Sequence, residues 1–368
     1  MDENGKYPIY GSGGIFGYAN QYLFKGPSVL LGRKGTVDKP RLVLNPFWSV
    51  DTAYYTKISK KVNHVFFFHL CNQINFDYYI YGSAIPSMTA RDLNEIKFPL
   101  PQIPEQLSIV RFLDHKTGQI DRFIANRQKQ IELLKEQKSG IINKAVTKGI
   151  NPNAKMKPSG IEWIGEIPVS WIVTKLKFVA KLQSGNAITA DDIKEFGDYP
   201  VYGGNGLRGF TANYTNDGEY ILIGRQGALC GNINYAENKF WASEHAVVAY
   251  LRKPTSILWL GELLRTMNLN QYSQAAAQPG LSVDRIKNLP IPCPNYQEQI
   301  KIEEFIQNES SNIDTLISKY QKQIDLMQEY RTSIISQAVT GKIDVREWEP
   351  RKKKYKTEEL ESEMVVEK

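Results

Sequence analysis

Apolar residues recur at helical spacing between residues 104 and 148, and this stripe is the strongest pattern in the chain. Its members are Ile120, Ile124, Ile131, Leu134, Ile141 and Ala145. They follow one another at intervals of 3, 4 or 7 residues, so they share one face of a helix. Because only a narrow stripe is apolar, the face needs a partner helix. The segment predicts a short helix followed by one long helix.

The same stripe occurs a second time, 193 residues further along the chain. Its members there are Ile313, Ile317, Ile324, Met327, Ile334 and Ala338. One chain therefore carries two copies of the partner surface, and the two long helices are expected to pack on each other.

The repeat also covers the residues ahead of each helix. YPIYGSGGIFGY (7–18) matches YPVYGGNGLRGF (199–210), and LLGRKGT (30–36) matches LIGRQGA (222–228). A period near 193 residues is far longer than a solenoid unit, so a domain plus its helix is duplicated. Short β-rich runs alternate with Gly, Asn and Pro, which indicates mixed α/β domains.

The predicted fold class is α/β (α+β), with two copies of one domain separated by a long antiparallel two-helix coiled coil. The predicted segments are a first domain at 1–103, a central helical region at 104–150, a linker and second domain at 151–296, a second helical region at 297–346, and a charged tail at 347–368.

The two copies differ at their starts. WIVTKLKFVAKLQSGNAITADDIKEFGD (171–198) precedes the second YPVYG, whereas only MDENGK precedes the first YPIYG. Roughly 30 residues of the second copy thus have no counterpart in the first copy, although the repeat predicts one. Either the chain is truncated or mis-started there, or another segment completes that edge.

Composition narrows the class of protein. Apolar residues make up 42% and charged residues 23%, as in ordinary globular chains. Lys and Arg exceed Asp and Glu by 46 − 39 = 7, which is compatible with a polyanionic partner. Three distant cysteines, no long apolar run and no signal peptide predict a cytoplasmic protein that has no disulfide framework, metal site or membrane span.

A catalytic centre finds little support. The glycine-rich turns do not fit a dinucleotide or phosphate-loop motif. NPFW (45–48) is similar to a methyltransferase signature but lacks its second proline, and its counterpart is NKFW (238–241). His64, His69 and Cys71 are close in sequence, yet their counterparts are apolar or acidic. Since no reactive constellation occurs in both copies, the chain is expected to be non-catalytic and to need no cofactor.

Both copies share polar, glycine-rich loops whose side chains differ. Glycine lets a ligand approach the backbone, and Arg, Lys, Gln, Asn and Ser are the side chains that contact bases and phosphates. The DNA-binding candidates are Tyr10, Ser12, Arg33, Lys34, Lys39 and Arg41 in the first copy, and Tyr202, Asn205, Arg208, Arg225 and Gln226 in the second. The alternative is that these are hairpin turns with solvated charges.

Two pairs of repeated motifs and two motifs that occur once follow one another along nearly the whole chain. They are PLPQIPEQ (99–106) and PCPNYQEQ (292–299), KAVTKGI (144–150) and QAVTGKI (337–343), WIGEIPVSW (163–171), and KLKFVAKLQSG (175–185). This plan resembles the specificity subunit of type I restriction–modification systems. The resemblance implies two target recognition domains, each reading half of a split site in double-stranded DNA. It also implies partners, namely two modification (methyltransferase) subunits on the helical regions and restriction (endonuclease/translocase) subunits.

Helix length then predicts the gap between the half-sites. About 30 helical residues span roughly 45 Å, the length of about 13 base pairs. Two other functions remain open, a structural coiled-coil adaptor that binds only proteins and a stand-alone DNA methyltransferase or nuclease.

Overall fold

The computed structural model describes residues 5–82, 84–227, 229–273 and 280–350. Most of the predicted charged tail, residues 351–368, lies outside the described part. The chain divides into two compact units. The first comprises residues up to Gln128 together with those from Tyr320 onward, and the second is Lys129–Lys319.

The first unit contains a small α/β domain. Its strands are β1 (Tyr7–Gly11), β2 (Gly14–Ala19), β3 (Ser28–Gly32), β4 (Arg41–Val43), β5 (Trp48–Ser49) and β6 (Ala53–Tyr55). They form two sheets, ordered β2-β1-β5 and β4-β3-β6, and every residue of the apolar run in β3 is buried. Two short helices, α1 (His64–Cys71) and α2 (Ala90–Glu95), follow, and the domain then continues into α3 (Ile103–Lys148).

The second unit repeats this plan with additional strands. The strands are β7 (Met156–Pro158), β8 (Glu166–Pro168), β9 (Ile172–Lys175), β10 (Ala180–Ser184), β11 (Tyr199–Gly203), β12 (Gly206–Thr211), β13 (Asn216–Asp217), β14 (Tyr220–Gly224), β15 (Ile233–Ala236), β16 (Lys239–Ala242), β17 (Ala246–Leu251) and β18 (Pro290–Cys293). The helices are α4 (Ile257–Thr266), α5 (Val283–Ile286) and α6 (Tyr296–Val339).

Corresponding strands pair in the same way in the two domains. The hairpin β11–β12 lies beside β16 and β13, as β1–β2 lies beside β5. The second sheet is ordered β10-β17-β14-β15, and its last three strands correspond to β6-β3-β4. Both hairpins shift register at the same place, between Ile9 and Tyr10 and between Val201 and Tyr202. The predicted duplicated α/β architecture is confirmed.

The prediction of a short helix followed by a long one is wrong, because α3 is a single helix of 46 residues. Pro104 occupies its first turn, where a missing N–H removes no helical hydrogen bond. Beyond it, Phe112, Leu113 and Ile120 belong to one buried core. Continuous packing along this face offsets the low helix propensity of Gly118.

The long helices run antiparallel within each unit. In the first unit, Arg331 of α6 donates from Nε to Asp121 Oδ1 of α3 at 3.0 Å, and the Arg127 guanidinium lies 4.6 Å from the Tyr320 ring centroid. In the second unit, Lys138 Nζ lies 2.7 Å from Asp314 Oδ2. The apolar stripe predicted on both helices is buried or half-buried at every position.

A buried glutamine joins each domain to the start of its long helix. Gln106 accepts from the backbone N–H of Asn63 at 2.7 Å through Oε1, and its amide group donates to the carbonyls of Lys61 and Pro101. Its counterpart Gln299 accepts from Ser256 N at 3.0 Å and donates to Pro294 O at 3.0 Å. These two glutamines satisfy backbone groups that would otherwise be buried without partners.

Asn63 and Ser256 are in turn the residues that cap the first helix of each domain. Asn63 accepts from Val65 N and Phe66 N at the start of α1, and Ser256 accepts from Trp259 N at the start of α4. Each glutamine therefore fixes the domain's own helix cap to the long helix. None of the helices in the described ranges is long and apolar enough to cross a membrane.

This joint predicts a stability effect. Gln299→Leu removes the side-chain amide, so the N–H of Ser256 and the carbonyl of Pro294 lose the hydrogen bonds that they form with it. Since each buried unpaired group costs about 1–3 kcal/mol, we expect a loss of about 2–4 kcal/mol in urea unfolding. Gln297→Leu changes an exposed glutamine two positions away on the same helix and is expected to shift stability by less than about 0.5 kcal/mol. Equal effects of the two variants would contradict the assigned role.

Candidate nucleic-acid interface

The predicted reading loop of the second domain is a tight hairpin turn. Gly203 pairs with Gly206, so Gly204 and Asn205 alone connect β11 to β12. Gly206 has a φ of 95°, a backbone conformation that favours glycine. The Asn205 side chain points towards Asn232, whose Nδ2 lies 3.4 Å from Asn205 Oδ1.

A second loop, Arg225-Gln226-Gly227, packs directly against this turn. A Cβ added at Gly224 would lie 2.2 Å from Gly204 O, so the two loops approach more closely than a side chain allows. The backbone of Arg225 is held on both sides, because its N–H donates to His245 O and its carbonyl accepts from Leu281 N, each at 2.8 Å. Glycine contact thus fixes the relative position of the two loops.

Together the loops line an open cavity of about 480 Å³. The cavity is lined by Gly204, Asn205, Arg208, Gln226, Gly227, His245 and Gly280. Three predicted residues, Asn205, Arg208 and Gln226, therefore meet in one place. Arg208 is exposed. Its side chain lies against Gly203, because a Cβ added at Gly203 would lie 2.4 Å from Arg208 Cδ.

His245 is the member of this cavity that the sequence did not indicate. Its Nδ1 lies 2.8 Å from Gln226 Oε1, and its Nε2 lies 3.1 Å from Glu244 Oε1. An imidazole between two acceptors donates to both when it carries two protons. With Oε1 of Gln226 turned to His245, the Gln226 amide N–H groups are the ones available to a ligand.

The corresponding turn of the first domain carries different side chains. Gly11 pairs with Gly14, so Ser12 and Gly13 form the turn, and the Ser12 N–H donates to Thr52 Oγ1 at 3.3 Å. Arg41 reaches this turn, since a Cβ at Gly14 would lie 3.1 Å from Arg41 Nη2. Ser12 also faces the loop after β3, with its Oγ 3.4 Å from a Cβ position at Gly35.

The other basic candidates of the first domain lie around this turn in different settings. Arg33 donates from Nη1 to Asp51 O at 3.2 Å, and its guanidinium lies 6.0 Å from the Tyr54 ring centroid. Lys34 and Lys39 are exposed. The backbone N–H of Arg33 donates to Thr52 O at 2.8 Å, as that of Arg225 donates to His245 O, so Thr52 takes the structural place of His245.

The rings of the two predicted tyrosines pack against phenylalanines, and Tyr202 is not among the residues that line the cavity. The Tyr10 ring packs edge-on against Phe47 at 5.9 Å, and the Tyr202 ring packs in the same way against Phe240 at 5.7 Å. Burial, with a smaller contribution from the charge of Glu237, raises the pKa of Tyr202. Arg225 is half-buried and is not among the residues that line the cavity.

The chemistry of this surface is that of hydrogen-bond recognition. Each domain presents donors from flexible polar side chains on a backbone fixed by glycines. Among the described residues, no group of three or more His, Cys, Asp or Glu side chains is arranged to hold a metal ion.

Two curated relatives are similar to this chain, one over about a third of its length and the other over most of it. The type I restriction enzyme EcoprrI specificity subunit of Escherichia coli is 43% identical over 128 residues, which cover 34% of this chain and 32% of that protein. The type I restriction enzyme MjaVIII specificity subunit of Methanocaldococcus jannaschii is 26% identical over 347 residues, covering 86% of this chain and 76% of the relative. The chain thus matches about a third of the first relative and three quarters of the second.

Solved structures share the fold. A chain from a structural study of complex assembly and conformational transition of the type I R-M system aligns with a TM-score of 0.70, at 14% identity, over 87% of this chain and 83% of that one. The HsdS subunit from Thermoanaerobacter tengcongensis aligns with a TM-score of 0.53, at 15% identity, over 87% and 82%.

The family comparison covers both repeats. The model of the type I restriction modification DNA specificity domain matches residues 1–133 and 168–326, which include both β-hairpins (β1–β2 and β11–β12) and most of both long helices. Subunits of this family specify the DNA sequence and are not themselves catalytic. The chain belongs to the family of type I restriction modification DNA specificity domains.

Proposed function

We propose that the chain is the DNA sequence-recognition subunit of a type I restriction–modification complex and that each of its two domains reads one half of a split double-stranded target. The observation that carries this proposal is the recurrence of one scaffold with different side chains. In both domains a two-residue turn packs against a second loop, which follows β3 in the first domain and β14 in the second, while the side chains presented there differ.

The side chains of the second domain fit base edges in the major groove. Arg208 has the fork of donors that pairs with guanine O6 and N7, and Asn205 has an amide of the kind that pairs with adenine. Because His245 engages Gln226 Oε1, Gln226 presents N–H donors and favours a base with acceptors at that position.

The first domain offers Ser12, Lys34 and Arg41 instead, so it is expected to specify different bases. Exposed cations such as Lys39 would contact phosphates, a contribution that weakens as salt concentration rises. The excess of seven positive charges over the whole chain supports binding to a polyanion.

We further propose that two modification subunits bind the helical regions and that restriction subunits join this assembly in the cytoplasm. The repeat supports this, because two copies of one helix sequence present two similar surfaces to two identical partners. The length of the paired helices would set the number of unread base pairs between the half-sites. At 1.5 Å per residue, the 46 residues of α3 extend over about 69 Å, which is ample for this role.

Selection from a pool of randomised duplexes tests the assignment of reading surfaces. The complex assembled with its modification subunits is expected to select two specified blocks separated by a fixed unspecified gap. Gln226→Ala should relax one block by about tenfold in preference, the effect of losing about 1–3 kcal/mol of base discrimination, and leave the other block unchanged.

Arg41→Ala serves as the reciprocal variant, since it changes the other domain and should relax only the other block. Uniform weakening by either variant, without a change in preferred bases, would show contact with phosphates and contradict the reading role. A single contiguous block for the wild-type complex would contradict the split target itself.

Shortening the helix pair tests the proposed spacing. Deleting residues 129–135 from α3 and 317–323 from α6 removes seven residues from each helix, so the apolar stripe keeps its phase. The helices shorten by about 10 Å, and the gap between the blocks should shrink by about 3 base pairs. Duplicating the same heptads should lengthen it by a similar amount. A folded shortened variant that keeps the original gap would contradict this role of the helices.

A further inference from the structure

The side chain of Gln226 offers a base either donors or an acceptor, depending on which end of its amide faces outward. Its Nε2 carries two N–H donors, and its Oε1 is an acceptor. The residue at the same position of the first domain, Lys34, ends in an ammonium group that only donates. Gln226 therefore distinguishes bases only where a neighbouring group fixes the orientation of its amide, whereas Lys34 needs no such neighbour.

His245, in the turn between β16 and β17, is that neighbour. Its Nδ1 lies 2.8 Å from Gln226 Oε1, close enough to fix the amide by a hydrogen bond. In the first domain Thr52 takes this place, and its hydroxyl oxygen accepts from the backbone N–H of Ser12 at 3.3 Å. An orienting imidazole thus occurs in the domain whose reading side chain requires one.

Glu244 holds the other nitrogen of the imidazole. Its Oε1 lies 3.1 Å from His245 Nε2. Its Oε2 is shielded from solvent and has no hydrogen-bond partner among the described residues. The carboxylate therefore depends on His245 as its partner, and it favours a proton on Nε2 of the ring.

The number of protons on His245 decides which end of Gln226 faces outward. With two protons, Nδ1–H donates to Gln226 Oε1, and Gln226 presents its N–H groups. With one proton, the carboxylate of Glu244 keeps that proton on Nε2, so Nδ1 becomes an acceptor. The Gln226 amide then turns an N–H group towards Nδ1 and presents Oε1 to a ligand.

Charges of both signs surround this imidazole. Glu244 attracts the doubly protonated ring, whereas Arg208 in the same cavity and Arg225 on the adjacent loop repel it. Lys239 of β16 lies over a tyrosine ring instead. Because imidazoles change charge between about pH 5 and 8, pH is the variable that separates the two forms.

We propose that Glu244 and His245 determine which base Gln226 selects. With the doubly protonated ring, Gln226 takes guanine or thymine, whose major-groove edges carry acceptors. With the singly protonated ring it takes cytosine, whose edge carries a donor. Glu244 and His245 are positioning residues, since Gln226 is the side chain that contacts the base. This inference rests on the proposed function and adds to it the group that sets the base preference.

Selection from randomised duplexes at about pH 6 and about pH 8.5 tests the proposal in the complex assembled with its modification subunits. One position of one block is expected to change from guanine or thymine towards cytosine as the pH rises, by at least about tenfold in their ratio. The other block is the internal control, because a lysine ammonium donates at both pH values.

Two variants separate the positioning role from a structural one. Gln226→Lys introduces the residue of the first domain, which only donates, so it should keep guanine or thymine at both pH values. Glu244→Gln removes the carboxylate that keeps the last proton on Nε2, so Nδ1–H persists and the change with pH should fall below about threefold. A merely structural effect would weaken binding equally at both pH values and leave the change in base intact.

The same base at both pH values in the wild-type complex, or an undiminished change in either variant, would overturn the proposal. A selected pool without two specified blocks would overturn the proposed function and this inference together. Two specified blocks that Gln226→Ala alters, with no change in base between the two pH values, would overturn this inference alone.

Discussion

The buried glutamine at the first turn of each long helix is the contact on which the placement of each domain depends. Gln106 and Gln299 stand at equivalent positions of the repeat, and each pairs with the residue that caps its domain's first helix. Buried amide groups satisfied in this way define one orientation, because any shift leaves a donor or acceptor unpaired. Within each unit, therefore, the loops that carry the candidate reading residues are fixed relative to the helix that follows.

Glycine contacts provide the second constraint, closer to the recognition surface. The approach of Gly204 to Gly224 leaves no room for a side chain, so the turn and the neighbouring loop keep one arrangement. The side chains presented from that arrangement are free to differ, and they do, with Arg208 in place of Phe16 and Gln226 in place of Lys34. A fixed backbone with variable polar side chains is what a family of sequence-recognition domains requires.

Sequence patterns predicted the duplication from matches about 193 residues apart, the long helices from their apolar stripes, and the α/β class from short β-rich runs between Gly, Asn and Pro. The predicted division into a short and a long helix failed, because the Phe112 and Ile120 side chains pack in one continuous core along a single helix. The meeting of Asn205, Arg208 and Gln226 followed from their loops, but His245 did not, since its contact with Gln226 joins positions 19 residues apart and its counterpart is Thr52. The packing of Tyr10 and Tyr202 against phenylalanines likewise depends on which face of its strand each side chain occupies, and the glycine-rich motif does not specify that face.

Photocrosslinking from equivalent points of the two hairpins tests most directly whether the two domains contact separate halves of one target. Ile15 and Leu207 are both exposed and follow the two turns at matching positions, so either can be replaced by p-benzoylphenylalanine. In the complex assembled on its selected duplex, the probe at residue 15 is predicted to crosslink within one specified block and the probe at residue 207 within the other. Crosslinks from both positions to the same block, or to the unread bases between the blocks, would contradict the account.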